Sequence, residues 1–265
     1  MSISFKADNF VFDTNKKTYV MGILNVTPDS FSDGNKWFDI ESAVNHAIKM
    51  QNDGADIIDI GAQSTRPNFV KITPEEELKR LIPVLKVLKG CINLPISVDT
   101  FYPEVAEKAL NMGANIINDV TGFCDEKMIN VASQSNCGCI VVCNGSNNQM
   151  KNFFIEQINK MSRKNINISR ICLDPGIGFG KTYKENLLAI KNLKEYIVPN
   201  TAVLVGASRK SVIGIPCGNP PFEHRLAGTI AAHTIAIENG ANIIRVHDVK
   251  EAVLAAKVTD AILKT

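Results

Sequence analysis

A short segment that occurs three times constrains the fold more than any other feature of this sequence. The three copies read Asn52-Asp53-Gly54-Ala55-Asp56-Ile57-Ile58, Asn111-Met112-Gly113-Ala114-Asn115-Ile116-Ile117 and Asn239-Gly240-Ala241-Asn242-Ile243-Ile244. In each copy the glycine supplies the positive φ that ends a helix, and the isoleucine pair suits a strand buried on both faces. The segment therefore predicts a helix followed by a parallel strand.

The spacing of the copies indicates how many such units the chain contains. Gly54 and Gly113 are 59 residues apart, and Gly113 and Gly240 are 127 residues apart. Because a strand–helix unit takes about 30 residues, these intervals fit two and four units. A chain of 265 residues then holds about eight units, the number that closes a parallel barrel.

The local patterns agree with an α/β fold of the (β/α)8 TIM-barrel type. Strands are expected at 19–25, 56–60, 95–98, 115–118, 138–142, 170–173, 202–205 and 242–246, with helices that include 41–51, 74–88, 103–111 and 184–196. Residues 5–18 alternate in polarity and are predicted to form an N-terminal β-hairpin that turns at Thr14-Asn15-Lys16 and covers the barrel bottom. An open doubly wound sheet uses the same alternation and is the alternative.

No long linker or low-complexity stretch interrupts the sequence, so residues 1–265 are expected to form a single domain with 1–18 as its hairpin cap. Hydrophobic residues make up 45% and charged residues 21% of the chain, as in ordinary soluble proteins. The net charge of +2 gives no general attraction to nucleic acid or membranes, and no apolar run has the length of a spanning helix. Seven cysteines do not suggest a disulfide framework. We therefore expect a cytoplasmic enzyme without nucleic-acid or membrane partners.

Polar residues follow seven of the eight predicted strands, at the end where parallel barrels bind ligands. They include Asn25, Arg66, Asp99, Asn118, Asp174, Ser208, Lys210, Arg245 and His247. A single Asp after a strand, such as Asp119 or Asp248, is most often a turn or helix cap. A convergent set is different, because isolated buried charges are costly and need each other or a polar ligand.

The residue types predict the ligand. Arg66, Lys210, Arg245 and His247 form a cationic group that suits phosphate or carboxylate. Asp99, Asn118 and Asp174 suit a flat heterocycle with several N–H donors. We therefore expect a nitrogen heterocycle that bears an anionic group.

One glycine-rich segment imitates a nucleotide-binding loop. Gly176-Ile177-Gly178-Phe179-Gly180-Lys181-Thr182 lies between a strand and a helix. A Walker loop needs four residues between its first Gly and the final Gly-Lys-Thr, and that position is Pro175 here. The spacing therefore argues against a nucleotide hydrolase. The cysteines at 137, 139 and 143 lack the paired spacing of zinc ligands.

The first strand end, Gly22-Ile23-Leu24-Asn25-Val26-Thr27-Pro28-Asp29-Ser30-Phe31-Ser32-Asp33-Gly34, resembles the first signature of the dihydropteroate synthase family. Later motifs of the family are matched in order by Ser64-Thr65-Arg66-Pro67, Ser97-Val98-Asp99-Thr100, Ile117-Asn118-Asp119, Asp174-Pro175-Gly176-Ile177-Gly178-Phe179-Gly180-Lys181, Ser208-Arg209-Lys210-Ser211 and Arg245-Val246-His247-Asp248. The resemblance runs from about Tyr19 to the C-terminus.

The resemblance implies a Mg²⁺-dependent transferase of folate biosynthesis, a sulfonamide target that joins 6-hydroxymethyl-7,8-dihydropterin diphosphate to p-aminobenzoate. It also implies a homodimer. By this resemblance the pterin contacts are Asp99, Asn118, Asp174, Lys210 and Val142. The diphosphate contacts are Asn25, Arg66, Arg245 and His247, with Asn25 also at the metal. The aminobenzoate contacts are Thr65, Pro67, Phe179, Ser208, Lys210 and Phe31. The catalytic residues are Asp99, Lys210, Arg245 and His247.

The sequence departs from the family pattern near two strand ends. Gln63 stands where relatives usually have Glu, and Cys143-Asn144 stands where many have His-Met, before a shorter connection. Two alternatives therefore remain: a pterin-binding methyltransferase domain of a corrinoid system, and a degenerate homologue that binds pterin without turnover. The Ser64-Thr65-Arg66-Pro67 and Ser208-Arg209-Lys210 motifs favour the synthase.

Overall fold

The computed structural model describes residues 3–26, 36–63 and 71–265, with the backbone alone at 36–39. Within these residues, eight parallel strands close into a barrel, so the open-sheet alternative is excluded. Two short strands, β1 (Ser4–Ala7) and β2 (Phe10–Asp13), precede the barrel. The barrel strands are β3 (Tyr19–Asn25), β4 (Ile57–Gly61), β5 (Ile96–Asp99), β6 (Ile116–Asp119), β7 (Gly138–Val142), β8 (Ile171–Asp174), β9 (Ala202–Val205) and β10 (Ile243–Val246).

Helices follow the strands and cover the outside of the barrel. They are α1 (Lys36–Asn52), α2 (Pro74–Cys91), α3 (Pro103–Asn111), α4 (Glu126–Ser133), α5 (Asn147–Arg163), α6 (Tyr183–Lys191), α7 (Leu193–Tyr196), α8 (Ser211–Gly214), α9 (Leu226–Glu238) and α10 (Val249–Leu263). The repeated glycines end α1, α3 and α9 with φ of +98°, +102° and +101°. The repeated segment is therefore a helix end that leads into a parallel strand, as predicted.

The N-terminal hairpin exists, but its turn was placed wrongly. β1 and β2 pair antiparallel with Ala7 opposite Phe10, so the chain turns at Asp8-Asn9 and not at residues 14–16. Asp8 adopts a φ of +50°, which short polar side chains tolerate better than most residues. The hairpin lies against the bottom of the barrel, where Phe5 is fully buried and the Asp8 amide donates to the Asn136 carbonyl at 2.8 Å.

Alternate strand residues form the barrel interior. One cluster joins the hairpin to every second strand residue, and it contains Phe5, Ala7, Phe12, Tyr19, Met21, Ile57, Ile116, Ile140, Val142, Cys172, Ala202, Leu204 and Ile243. The intervening residues, such as Ile58 and Ile60, pack with the helices instead. This alternation places the residues two positions later, including Asp59, Asn118, Asp174 and Arg245, inside the barrel above the apolar floor.

Four predicted strands began and ended one residue too early. β4, β5, β6 and β8 run to Gly61, Asp99, Asp119 and Asp174. In β5, β6 and β8 the additional last residue is an aspartate, and the backbone pairing continues through it to the neighbouring strand. In β4 the additional residue is Gly61, which pairs with Asp99.

Candidate active site

The barrel brings most of the predicted site residues to one end. Asn25, Asp99, Asn118, Asp174 and Arg245 come from the last residues of five strands, and His247 directly follows β10. Lys210 and Ser208 lie in the loop after β9, and Phe179 lies in the loop after β8. Four further predicted residues, Phe31, Thr65, Arg66 and Pro67, lie outside the described residues.

Arg245 is the centre of a buried ionic network. Its Nε donates to Oδ2 of Asp59 at 2.6 Å, and its Nη2 donates to Oδ2 of Asp99 at 2.9 Å. The Nδ2 of Asn118 donates to the same Asp59 oxygen at 3.2 Å. β4, β5, β6 and β10 are thereby joined across the interior. Burial alone would lower the pKa of Arg245, but Asp59 and Asp99 raise it, so the guanidinium stays charged.

Asp99 is held near its titration point. Burial and, to a lesser extent, the charge of Asp59 raise its pKa to about 7, against the opposing effect of Arg245. Asp99 therefore changes charge in the neutral range. A carboxylate in this state can take either a cation or an N–H donor of a ligand as partner.

Lys210 and Asp174 form the opposite side of the interior. The Nζ of Lys210 donates to the Ile177 carbonyl at 2.6 Å and lies 4.5 Å from the centre of the Phe179 ring. Burial lowers the pKa of Lys210 to about 8, although Asp174 acts to raise it. Asp174 has a raised pKa, chiefly through burial, and accepts the Gly176 amide at 2.7 Å. An ammonium, a carboxylate and an aromatic face thus lie side by side.

His247 and Ser208 connect the loops after β10 and β9. The Nδ1 of His247 lies 2.9 Å from the Ser208 hydroxyl, and the backbone N–H of His247 donates to that oxygen at 3.2 Å. Ser208 is buried. Its hydroxyl is thus engaged by His247, while its predicted contact with aminobenzoate stays a prediction.

An ion pair outside the site joins the same two loops. Arg209 adopts a φ of +58°, which turns its side chain toward Asp248. Its Nε and Nη2 donate to the two Asp248 oxygens at 3.0 and 2.5 Å. Asp119 likewise has a local structural role, since it accepts the amides of Thr121 and Phe123 at 2.8 Å. Asp119 therefore has the turn role that was expected for it, whereas the side chain of Asp248 makes an ion pair and no cap hydrogen bond to α10.

The glycine-rich loop does not have the arrangement of a phosphate-binding loop. Gly176, Gly178 and Gly180 all have positive φ, which bends the segment tightly. The Nζ of Lys181 donates to the carbonyls of Cys143 and Phe179 at 2.8 and 3.3 Å, so this lysine holds backbone rather than projecting toward a ligand. The geometry agrees with the spacing argument against a nucleotide hydrolase.

The departures from the family pattern also have places in the structure. Val142 is a buried interior residue of β7, opposite Asp174 in the strand register. Cys143 is buried in the outer cluster, and its carbonyl accepts a hydrogen bond from the Nζ of Lys181 in the glycine-rich loop. The Oε1 of Gln63 accepts the Ile72 amide at 2.7 Å and ties the end of β4 to the start of α2.

Sequence reasoning missed two residues that organise the site. Asp59 was read as part of an apolar strand, although a charge between isoleucines at an interior position was a usable signal. His233 of α9 was assigned no role, yet its Nε2 accepts the Ala207 amide at 3.1 Å, one residue before Ser208. Burial lowers the pKa of His233 to about 4, and Lys210 adds to the effect. The imidazole is therefore neutral and can accept this bond.

The side chains that the structure describes do not form a complete metal site by themselves. Among the described side chains there is no group of three or more His, Cys, Asp or Glu residues that could hold an ion. Asn25 ends β3 with an exposed side chain, next to the space above Gly61. The described part of the chain also has no helix long and apolar enough to cross a membrane.

Known proteins resemble this chain over nearly its whole length. The family model described as pterin binding enzyme matches residues 21–247. Dihydropteroate synthase of Clostridium beijerinckii is 44% identical over 263 residues, covering 96% of this chain and 97% of the relative. The crystal structure of dihydropteroate synthase from Clostridium difficile in the presence of pteroic acid has a TM-score of 0.92 at 42% identity, covering 96% of this chain and 100% of that one. The Xanthomonas albilineans enzyme with 4-aminobenzoic acid has a TM-score of 0.94 at 36% identity and full coverage of both.

Proposed function

This chain belongs to the pterin-binding enzyme family, and we propose that the polar residues at the strand ends of its barrel carry out the dihydropteroate synthase reaction. As a transferase of folate synthesis, it condenses 6-hydroxymethyl-7,8-dihydropterin diphosphate with p-aminobenzoate. The products are 7,8-dihydropteroate and pyrophosphate. The observation that carries the proposal is the buried polar layer around Arg245, which has the acceptors and donors that a pterin ring needs.

The pterin is proposed to lie on this layer. Asp99, Asn118 and Asp174 present carboxylate and amide groups to the interior from three strands. Pterin rings carry several N–H donors, and buried acceptors of this kind need such partners. Val142 would give the ring an apolar contact from β7. Lys210 would add a hydrogen-bond donor to this polar layer.

The aminobenzoate is proposed to lie nearer the barrel mouth. Phe179 offers a flat aromatic face, and the Nζ of Lys210 lies 4.5 Å from the centre of its ring. Ser208 is carried over from the family resemblance, as are Thr65, Pro67 and Phe31. Lys210 is proposed to lie between the two substrates, which is supported by its Nζ lying over the Phe179 ring and by the effect of the Asp174 charge on it.

The chemistry that fits this arrangement is dissociative. The bond between the pterin methylene carbon and the diphosphate oxygen breaks first, and the electron pair leaves with pyrophosphate. The resulting cation is delocalised into the ring, where the ionised Asp99 stabilises it. Arg245, His247 and Arg66 stabilise the leaving diphosphate. The aniline nitrogen then attacks the methylene carbon and loses its proton, so no activated nucleophile is required in the protein.

Mg²⁺ is proposed as the metal, with Asn25 as its protein contact. Mg²⁺ usually keeps several waters and binds through one or two protein oxygens together with substrate phosphates. The single exposed amide of Asn25 at the strand end fits that pattern. When bound, the metal would neutralise charge on the diphosphate. Asn25 would orient that end of the substrate.

A homodimer is proposed through α10. Leu254, Val258 and Ile262 recur every four residues and are 57%, 61% and 68% exposed, so they form one apolar stripe on the helix. Exposed apolar stripes of this kind commonly mark protein interfaces, and a twofold axis would pair the stripe with itself. Val258→Lys should shift the protein to monomer in light scattering. An unchanged mass would contradict this interface.

The reaction is tested by pyrophosphate release from the pterin diphosphate, with and without p-aminobenzoate. Release of pyrophosphate in the presence of Mg²⁺, with dihydropteroate formed only when both substrates are present, supports the proposal. A folded protein that releases no pyrophosphate under either condition would contradict it. Sulfonamides mimic p-aminobenzoate, so inhibition should be competitive with p-aminobenzoate and not with the pterin substrate.

All seven cysteines, each within the described residues, are free thiols, which suits the proposed cytoplasmic location.

A further inference from the structure

Asp59 is a buried charge in the middle of β4, and none of the roles proposed above uses it. It is fully buried. Its Oδ2 receives both described hydrogen bonds, from the Nε of Arg245 and the Nδ2 of Asn118. Its Oδ1 has no hydrogen-bond partner among the described residues.

A structural role alone explains this arrangement poorly. Removing a carboxylate from water is costly, and buried ion pairs can often be replaced by apolar residues without loss of stability. Both groups that Asp59 holds are instead side chains of the proposed ligand-binding layer. Asp59 also lies one layer below Asp99, since it precedes Gly61 by two residues and Gly61 is paired with Asp99 in the register.

Asp99 is the other carboxylate that holds Arg245, at 2.9 Å. Asp99 is 11% exposed in its side chain, whereas Asp59 is 0% exposed, so only Asp99 is accessible from the barrel mouth. A heterocycle that donates N–H groups to Asp99 competes with Arg245 for it. Arg245 then needs a second anion to stay oriented, and Asp59 is the one in contact with it.

We propose that Asp59 is a positioning residue that keeps Arg245 and Asn118 in place while Asp99 exchanges Arg245 for the bound pterin. This inference rests on the proposed function and adds a role for a residue that does not touch substrate. Without the Asp59 charge, Arg245 has only Asp99 as its anion. Pterin binding then has to break the remaining ion pair of a buried guanidinium.

The test compares Asp59→Asn with wild type and with Asp119→Asn. Asp119 is the matched control, because it is also a fully buried carboxylate of a barrel strand, two strands away on β6, but its contacts are with the loop after β6. Binding of 6-hydroxymethylpterin is measured by titration calorimetry, and KM is measured for each substrate. D59N should raise the pterin Kd and the KM for pterin diphosphate about tenfold or more, because the loss of one positioning contact can misplace reacting groups. KM for p-aminobenzoate should change by less than about twofold.

Equal changes in D59N and D119N, or an unchanged pterin Kd in D59N, would overturn the proposal. If D59N does not fold by circular dichroism, Asp59→Glu replaces it, since it keeps the charge but displaces it by one methylene. D59E should then raise the pterin Kd and leave KM for p-aminobenzoate unchanged, and a wild-type pterin Kd would overturn the proposal. Turnover by the wild type tests the proposed function separately, because the Asp59 proposal depends only on the ratio of variant to wild-type pterin binding.

Discussion

Replacing His233 with Gln should remove the part of the acid-induced loss of stability that comes from protonation of His233. His233 is buried in α9 and accepts the Ala207 amide at 3.1 Å. Gln can offer an oxygen acceptor to the same amide, so the substitution changes the titration more than the contact. His224→Gln is the control, because His224 is exposed near the start of the same helix.

The magnitude follows from the pKa of His233. Burial, followed by the charge of Lys210, lowers it from 6.5 to about 4. The unfolded chain therefore binds more protons than the folded chain between these values, so this contribution to stability is complete above pH 6.5 and is lost as pH falls toward 4. Between pH 7.5 and pH 5.0 the loss is about 2 kcal/mol, at about 1.4 kcal/mol for each pH unit below 6.5.

Urea unfolding at pH 7.5, 6.0 and 5.0 measures this effect. The unfolding free energy of the wild type minus that of H233Q should fall by about 2 kcal/mol from pH 7.5 to pH 5.0, since the variant lacks the titrating group. The raised pKa values of Asp99 and Glu77 act in the opposite direction, but they are common to both proteins and cancel in the difference. A difference that stays constant with pH, or one that narrows equally in H224Q, would refute the argument.

Three further predictions follow from the site and from the floor of the barrel. The kcat/KM should fall as the pH drops through about 7, where Asp99 gains a proton, and also as the pH rises through about 8, where Lys210 loses one. The variant Lys210→Arg should move only the alkaline limb of this profile, to higher pH. Phe5→Ala should lower the unfolding free energy by about 3–5 kcal/mol, since Phe5 is fully buried at the hairpin. The KM values measured on the folded fraction should stay unchanged. A large change in KM would contradict the idea that the apolar floor is separate from the ligand-binding site. A double-mutant cycle of Arg209→Lys and Asp248→Asn should give a coupling of about 1–2 kcal/mol in urea unfolding, and additive effects would exclude a cooperative link between the two loops.

The fold could be predicted from the sequence because its signals are local. The repeated helix end and the isoleucine pairs depend on neighbours within a few residues, and the regular spacing of these local signals favoured the closed barrel. The hairpin was also predictable, but its turn was not. The alternation of residues 5–18 continues past Asp8-Asn9, whereas the actual turn depends on how Phe5 and Phe12 pack together under the barrel, with ring centres 5.8 Å apart.

The site was predicted where motifs carried it and missed where distant contacts did. Arg245 and Asp59 are 186 residues apart in the chain, and only barrel closure brings them within 2.6 Å. The charge of Asp59 between two isoleucines is visible in the sequence, but nothing near it in the chain identifies Arg245 as its partner. The same reasoning explains His233, whose partner Ala207 has no side-chain signal at all.

The charges inside the barrel suggest how the two ends of the proposed substrate differ. In the polar layer above the apolar floor, the described anions Asp59, Asp99 and Asp174 face the cations Arg245 and Lys210, so the charges of this layer nearly balance before a ligand enters. A neutral heterocycle can exchange hydrogen bonds with such a layer at little electrostatic cost. A diphosphate needs more positive charge, because Arg245 and Lys210 each already have an anion nearby. Its proposed binding by Arg245 therefore needs additional positive charge, and His247, Arg66 and a divalent ion at Asn25 are the groups proposed to supply it.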